Sequence, residues 1–413
     1  MREGWEIKKL KEVCHKITDG THQTPKYFNE GVIFLSSKNV TKGKIDWENI
    51  KYIDEAQHIE MHKRVAPKVG DILLAKNGTT GVAAMVDKNV VFDIYVSLAH
   101  IRSLGEVSPE YMLYFINSPL AKKQFNSRLK GVGVPNLHLK EIREVEIPFP
   151  KSLIEQKQIV ALLDQAFAAI DQAKANIEKN IANAKELFQS KLNEIFSQKG
   201  EGWEEKTLGD VCEIKPPKKL AKEKLNDSDL VSFVPMKYLN ANKMYFNSEE
   251  TRTLKKLYSS YVYFEDGDVI LAKITPCFEN GKLGIAKNLE NGIGFGSSEY
   301  VVYRVNKNKL SPEFLYFFLN RESFRIKGKS LMSGAVGHKR IQPNFYEGEI
   351  ISLPSLQNQK NILTKITTVQ INLNQIESKY RQKLHDLEEL KKSILQKAFA
   401  GELTMSELMI ESD

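Results

Sequence analysis

The sequence is written twice. Gly4-Trp5-Glu6 recurs as Gly202-Trp203-Glu204, and Leu10 with Val13-Cys14 recurs as Leu208 with Val211-Cys212, both 198 residues on. Gly70-Asp71 and Leu74-Ala75-Lys76 recur 197 residues on as Gly267-Asp268 and Leu271-Ala272-Lys273. Ser108-Pro109-Glu110 recurs 203 residues on as Ser311-Pro312-Glu313, and Gln156-Lys157 as Gln359-Lys360 at the same offset. Leu187, Ser190, Leu192 and Phe196 likewise recur as Leu390, Ser393, Leu395 and Phe399. The shift from 197 to 203 places extra residues of the second half between Lys273 and Ser311. A collinear series of this length is a duplication, and halves of about 200 residues are too long for a solenoid unit. The 413 residues therefore hold at least two cores.

The end of each half reads as one long helix. Ile159, Leu163, Ala166, Ile170, Ala173, Ile177, Ile181, Ala184 and Leu187 follow steps of mainly three and four. Ile362, Ile366, Val369, Leu373, Ile376, Tyr380, Leu384, Leu387 and Leu390 repeat that list 203 residues later. Such spacing lays one apolar seam along a helix, and each seam needs a partner. The nearest partner is the other copy, reached after a globular segment long enough for the chain to return, so an antiparallel pair is expected. Ile159, Leu163, Ile170, Ile177, Ile362, Ile366, Leu373 and Leu384 are the expected packing residues. Pro148 and Pro150 precede the first helix and Pro354 the second, while Gly200, Gly202 and Gly401 follow the helices.

The rest of each half reads as α+β. Val32–Leu35, Asp71–Leu74 and Val262–Phe264 alternate like strands between turn residues. Residues 109–129 and 312–327 begin Ser-Pro-Glu and continue with helical spacing. The expected organisation is a first domain at 1–150, a helix at 151–199, a second domain at 200–353, a helix at 354–400 and an acidic tail at 401–413. The tail is either a plain terminus or a partner contact.

Composition and missing motifs narrow the function. A net charge of +8 is compatible with a polyanionic partner and equally with a merely basic protein. No apolar run approaches a membrane span, and the first residues lack the apolar stretch of a secretory signal. Cys14, Cys212 and Cys277 cannot all pair, which fits a reducing cytoplasm, and Cys14 and Cys212 read as one small core position seen twice. Gly328-Lys329-Ser330 lacks the first glycine and the preceding strand of a phosphate loop. There is no Asn/Asp-Pro-Pro-Tyr/Phe run and no Gly-x-Gly-x-x-Gly after a strand. No metal-ligand spacing is expected: His58 and His62, four apart, read as a solvated helix face.

The loops carry donors suited to nucleic acid. They are Thr18–Lys26, Ser36–Asn39 and Ala75–Gly81 in the first half, and Lys215–Lys219, Ala272–Lys282 and Ser333–Arg340 in the second. Thr21, His22, Lys38, Asn39, Lys76, Asn77, Thr79 and Thr80 are the expected DNA contacts of the first half. Lys218, Lys219, Lys273, Thr275, Asn280, Lys282, His338, Lys339 and Arg340 are those of the second. Lysine and arginine supply charge toward phosphate, while Asn, Thr and Arg reach base edges. Ordinary surface loops share this composition. What distinguishes these is that Gly, Asp and Lys stay in register while Asn77–Thr80 and Ile274–Cys277 diverge after them.

Taken together the chain resembles the specificity subunits of Type I restriction–modification enzymes. The resemblance rests on the Gly-Trp-x-x-x-x-Leu start of each half, on Ile17–Tyr27, on Ile274–Lys282 with Gly294–Arg304, and on Ile147–Val160. Ile351–Leu363 is a weaker copy, with Asn358 where glutamate is more usual. The resemblance implies two target recognition domains, each reading half of a split site in double-stranded DNA. It implies helices that act as a spacer and bind two methyltransferase subunits, which carry S-adenosylmethionine and methylate adenine N6. A separate motor-nuclease (restriction) subunit would join, and this chain would hold no catalytic residue and no cofactor of its own. A helix of about 40 residues spans roughly 60 Å, on the order of 17 base pairs. A coiled-coil adaptor for protein partners explains the repeat and the seams equally well, but not the matched lysines. A stand-alone enzyme needs the motifs that are missing.

Overall fold

A computed structural model describes residues 2–41, 43–78, 80–128, 136–240, 243–335 and 337–403. The chain divides into two compact units, Met1–Ile177 with Arg381–Asp413, and Glu178–Tyr380. The boundaries fall inside two 45-residue helices, Leu153–Ser197 and Leu356–Ala400. Thr79, residue 129 and most of the acidic tail lie outside the described residues.

In the first unit the strands are β1 (Trp5–Lys9), β2 (Cys14–Asp19), β3 (Val32–Leu35), β4 (Lys51–Ile53), β5 (Ile72–Ala75), β6 (Ala83–Met85), β7 (Phe92–Ile94), β8 (Leu98–Ser103) and β9 (Glu146–Pro150). They form an antiparallel sheet β2-β8-β5-β6, a mixed sheet β4-β3-β7 and a ribbon β1-β9. The pairing of β3 with β7 is parallel. The second unit holds β10 (Glu204–Thr207), β11 (Cys212–Ile214), β12 (Leu230–Val234), β13 (Tyr245–Phe246), β14 (Thr251–Thr253), β15 (Val262–Glu265), β16 (Val269–Ala272), β17 (Leu283–Ala286), β18 (Ile293–Gly296), β19 (Tyr300–Val305) and β20 (Ile350–Leu353). Its sheets, β11-β19-β16-β17-β13, β14-β12-β18-β15 and β10-β20, repeat the first set with β13 and β15 added. Strand pairing locates part of the length difference. Leu74 pairs with Ala83, but the equivalent Leu271 pairs with Leu283, so the second hairpin loop is three residues longer.

The repeated residues are mostly the frame. Gly70 and Gly267 have φ of +88° and +91°, a conformation that glycine adopts without strain. Each turn presents an aspartate to the neighbouring strand. Asp71 accepts from Arg102 Nε at 2.7 Å and from His100 Nε2 at 2.7 Å, and Asp268 accepts from Arg304 at 3.0 and 2.7 Å. Gln156 and Gln359, both fully buried, lock each long helix to its domain. Gln156 accepts from Ser108 N at 2.8 Å and donates to the carbonyls of Glu106 at 2.8 Å and Pro150 at 2.9 Å. Gln359 does the same with Ser311 N, Lys309 and Pro354 at 3.0, 2.7 and 3.0 Å. Cys14 and Cys212 are buried, 7% and 6% exposed, and burial pushes both thiols up to about 12.

Both long helices pack antiparallel within each unit. In the first, Lys174 pairs with Glu388 and Asp171 with Lys391, so one helix rises as the other descends. Ile159, Leu163, Phe167 and Ile170 share a core there with Ile394, Leu395, Ala398 and Phe399. Phe399 meets Tyr111 and Phe115 edge-on at 5.2 and 5.4 Å. In the second unit Phe196 meets Phe314 and Phe318 at 4.9 and 5.7 Å, in a core with Phe188, Leu192 and Ile366. Of the remaining expected packing residues, Ile362 and Leu373 are partly buried against that core, and Ile177 and Leu384 are half-buried.

One expectation is corrected. The segments after each Ser-Pro-Glu are not single helices but pairs, Pro109–Asn117 with Pro119–Arg128 and Pro312–Leu319 with Glu322–Ser330. In the first, Pro119 forces Ser118 into extended backbone, with ψ of 158°. In the second, Arg321 is extended, with ψ of 138°, and its Nε donates to the Phe318 carbonyl at 2.9 Å.

Candidate nucleic-acid interface

Each unit sets a lysine, a carboxylate and an arginine together at the end of its central strand. In the first, β2 ends at Asp19, and the chain then crosses the backbone of β7. Thr21 N donates to the Ile94 carbonyl at 3.0 Å. A Cβ on Gly20 would stand 1.8 Å from that oxygen, so only glycine fits. The Asp19 carboxylate, 3% exposed, accepts from Lys76 Nζ at 2.6 Å and from Arg64 at 2.5 Å, while Arg64 Nε binds the Asp19 carbonyl at 3.0 Å. His22 Nε2 lies 3.3 Å from the same carboxylate. Burial raises the Asp19 carboxyl, but hydrogen bonds from Lys76 and Arg64 outweigh it and hold it below the ordinary range. Two cations on one carboxylate leave a net positive set. Lys76 is buried and neutralises Asp19 from within, so the exposed charge is that of Arg64. Arg64 lines an open cleft of about 420 Å³ with Thr21, His22, Gln23, Glu60 and Met61. A guanidinium fixed along one edge keeps donors for a phosphate or a base edge.

The second unit builds the same set from other parts. Lys273 N donates to the Glu299 carbonyl at 2.9 Å, as Lys76 N does to Ser97 O, also at 2.9 Å. Ile341 N then binds Lys273 O, as Leu137 N binds Lys76 O, both at 3.0 Å. The Glu299 carboxylate grips Arg340 through both oxygens at 2.8 and 2.9 Å, and the Arg340 hydrogen bond holds it below the ordinary carboxylate range. Burial lowers the Lys273 amine, with Glu299 pulling the other way. Its Nζ donates to the Ser298 carbonyl at 2.9 Å.

The other expected contacts divide by burial. His22, Lys38, Lys219, Asn280, His338 and Lys339 are exposed, Lys38 on the short helical turn Ser37–Val40 and Lys219 at the start of the helix Lys219–Lys224. Thr21 is 7% exposed and accepts from Gln23 N at 3.1 Å, so it shapes its turn. Asn39, 6% exposed, holds the carbonyls of Asp46 and Asn49. Lys218 and Lys282 reach backbone carbonyls of Tyr258 and Met236 at 3.1 and 2.8 Å. Thr275 N binds Lys339 O at 2.9 Å, tying two of the loops together, and Asn77 bridges to Asn136. Thr80 Oγ1 donates within its own turn to the Lys76 carbonyl at 3.3 Å. Nothing in the local sequence marks Asp19, Arg64 or Glu299. Asp19 lies inside a loop whose composition points to its donors, and Arg64 is 45 residues from its partner.

The reading of His58 and His62 as a solvated face is also corrected. They lie on the helix Glu55–His62 and point at Asp93 of β7, His58 Nδ1 to Oδ2 at 2.7 Å and His62 Nδ1 to Oδ1 at 2.9 Å. The third member is 31 residues from His62, beyond any spacing rule.

Comparison with known proteins follows the same outline. A family model described as the Type I restriction modification DNA specificity domain matches residues 2–183 and again 200–386. The chain is 32% identical over 195 residues to the Type I restriction enzyme EcoAI specificity subunit of Escherichia coli, covering 47% of this chain and 32% of that protein. It thus spans about a third of the length of the first curated relatives it matches. It is 22% identical over 419 residues to the Type I restriction enzyme StySPI specificity subunit of Salmonella potsdam, covering 97% and 90% of the two chains. A solved chain from work on complex assembly and conformational transition of the type I R-M system matches with a TM-score of 0.72. That likeness holds at 19% identity over 98% of this chain and 99% of the other, and it speaks to the fold alone.

Proposed function

The chain belongs to the Type I restriction modification DNA specificity domain family, and from that membership we propose that it is the DNA-reading subunit of a restriction–modification complex. Each domain reads one half of a split site in double-stranded DNA. The paired helices set the gap and dock two methyltransferase subunits, which supply S-adenosylmethionine and methylate adenine N6, and a motor-nuclease subunit joins for cleavage. The chain itself performs no bond chemistry and works in the cytoplasm. Among the described residues no helix is long and apolar enough to cross a membrane.

The observation that carries this reading is the twice-built set of lysine, carboxylate and arginine beneath divergent loops. Lys76 and Lys273 occupy one place in the frame, while the carboxylates Asp19 and Glu299 and the arginines Arg64 and Arg340 reach it from unrelated segments. A shared frame with different exposed arginines suits two domains reading different sequences. Binding of DNA by the assembled complex, measured against salt, tests it. Affinity falls with a log–log slope of about 0.9 per phosphate contacted. Arg64→Ala weakens cognate binding by about 10–100-fold and relaxes preference in one half-site only, with Arg340→Ala acting on the other. Salt-independent binding, or two variants that affect both half-sites alike, favours an adaptor for protein partners instead. Inserting one turn of about four residues in each helix lengthens the unspecified gap by one or two base pairs.

A further inference from the structure

We infer that His58, His62 and Asp93 form a binding site for one divalent transition-metal ion of the zinc class. The two histidines stand four apart on one helix, which puts both imidazoles on the same face. Their rings lie 4.6 Å apart, and one ligand atom from each of the three residues falls within 4.8 Å of the others. Two imidazole nitrogens and one carboxylate oxygen are a donor set that takes zinc and its neighbours, with a fourth position left for water.

Three observations favour a ligand over a plain hydrogen-bonded cluster. Asp93 is 1% exposed, and among the described residues its oxygens meet only the two histidines, with no lysine or arginine to balance the charge. A divalent ion gives a buried carboxylate both a bonding partner and the opposite charge. Access is open, because the His58 and His62 side chains keep 15% and 31% of their surface exposed. The duplication supplies the third. The strand pairing that sets Asp93 beside Phe34 sets Phe295 beside Phe233 in the second unit. There the matching helix, Leu254–Tyr258, lays Leu254 and Leu257 into one apolar cluster with Phe295. The fold therefore closes this helix-on-sheet contact with hydrocarbon, and the first unit has put metal donors in its place.

Without metal each Nδ1–H donates to Asp93. With the ion bound, each Nδ1 lone pair faces it and each ring carries its proton on Nε2. Ligand bonds near 2.0 Å at tetrahedral angles separate the donor atoms by about 3.3 Å. The site opens by roughly half an ångström from its present 2.7 and 2.9 Å. The ion then pins the helix to β7, two residues before Arg64.

Zinc titrated into the untagged, chelator-stripped full chain, with a chromophoric chelator in competition, tests the site without DNA. The expected result is one equivalent bound at micromolar or tighter Kd. X-ray absorption at the zinc edge then shows two imidazoles in the first shell. His62→Gln keeps an N–H for Asp93 and so keeps the fold, and it weakens zinc binding at least tenfold. His58→Gln does the same, and either variant shows its folded state by an unchanged circular dichroism spectrum. Less than a fifth of an equivalent bound by the wild-type chain overturns the site. So does a folded His58→Gln/His62→Gln double variant that binds zinc as the wild type does.

Discussion

Replacing Gln156 with leucine removes a side chain of similar size but none of its neighbours. Ser108 N loses its acceptor, and the carbonyls of Glu106 and Pro150 lose their donor. Gln156 is fully buried, so water does not take its place without opening the joint between helix and domain. Each lost bond costs about 1 kcal/mol net, and a buried group left unsatisfied costs about 1–3 kcal/mol. Three bonds give about 3–5 kcal/mol, a large share of the roughly 5–15 kcal/mol that holds a domain together. For a unit of this size 1 kcal/mol moves the melting point by about 2–4 °C, so Gln156→Leu lowers the first unit's transition by about 6–20 °C. Where the two units melt as separate transitions, the unaltered unit serves as an internal control. Calorimetry shows which transition moves, and hydrogen exchange at the amides of Ser108–Met112 shows where. Gln359→Leu moves the other transition by a similar amount. If both variants shift their transitions by less than about 3 °C, the glutamines are not the locks described and the reasoning from the repeat fails.

Gly20→Ala drives a Cβ into the Ile94 carbonyl at 1.8 Å, so the first unit loses at least about 2 kcal/mol, measured by urea unfolding. The thiols of Cys14 and Cys212, both pushed up to about 12 by burial, resist iodoacetamide at pH 8 in the native chain. Peptide mass mapping finds Cys277, only half-buried, labelled first. Asp71 and Asp268 respond to acid with opposite sign. Burial raises Asp71, but Arg102 and His100 outweigh it and leave the group lowered, so its contribution is present above the unfolded value of 3.8 and is lost as pH falls. Asp268 is raised by burial, only partly offset by Arg304, so its contribution is present below 3.8 and is lost as pH rises through the folded value. The stability penalty of Asp71→Asn therefore shrinks between pH 5 and about 3, and that of Asp268→Asn grows, as urea titrations at each pH measure.

The parts of the fold visible in the sequence are those written in local periodicity. Ile159, Leu163 and Ile170 announce their helix because a seam repeats every three or four residues whatever the seam rests on. The break at Ser118 was also written, in Pro119, but the apolar spacing runs on across it and hides it. Arg321 breaks its helix with no such mark, because the cause is its own hydrogen bond to Phe318. At the interface, lysines were legible as charge, but burial was not. Lys76 looks like a phosphate contact and is instead the inner partner of Asp19. Arg64 and Asp93 take their meaning from neighbours 45 and 31 or more residues away, and no window of sequence contains both members of such a pair.

Single-molecule sequencing of DNA from cells that express this chain with the methyltransferase subunit proposed as its partner, and from cells that express either alone, reads the function directly. The expected result is N6-methyladenine in one split motif, present only when both chains are made, with Arg64→Ala blurring one half of the motif and Arg340→Ala the other. A folded, purified complex that leaves no split-motif methylation in those cells contradicts the assignment of DNA reading to this chain.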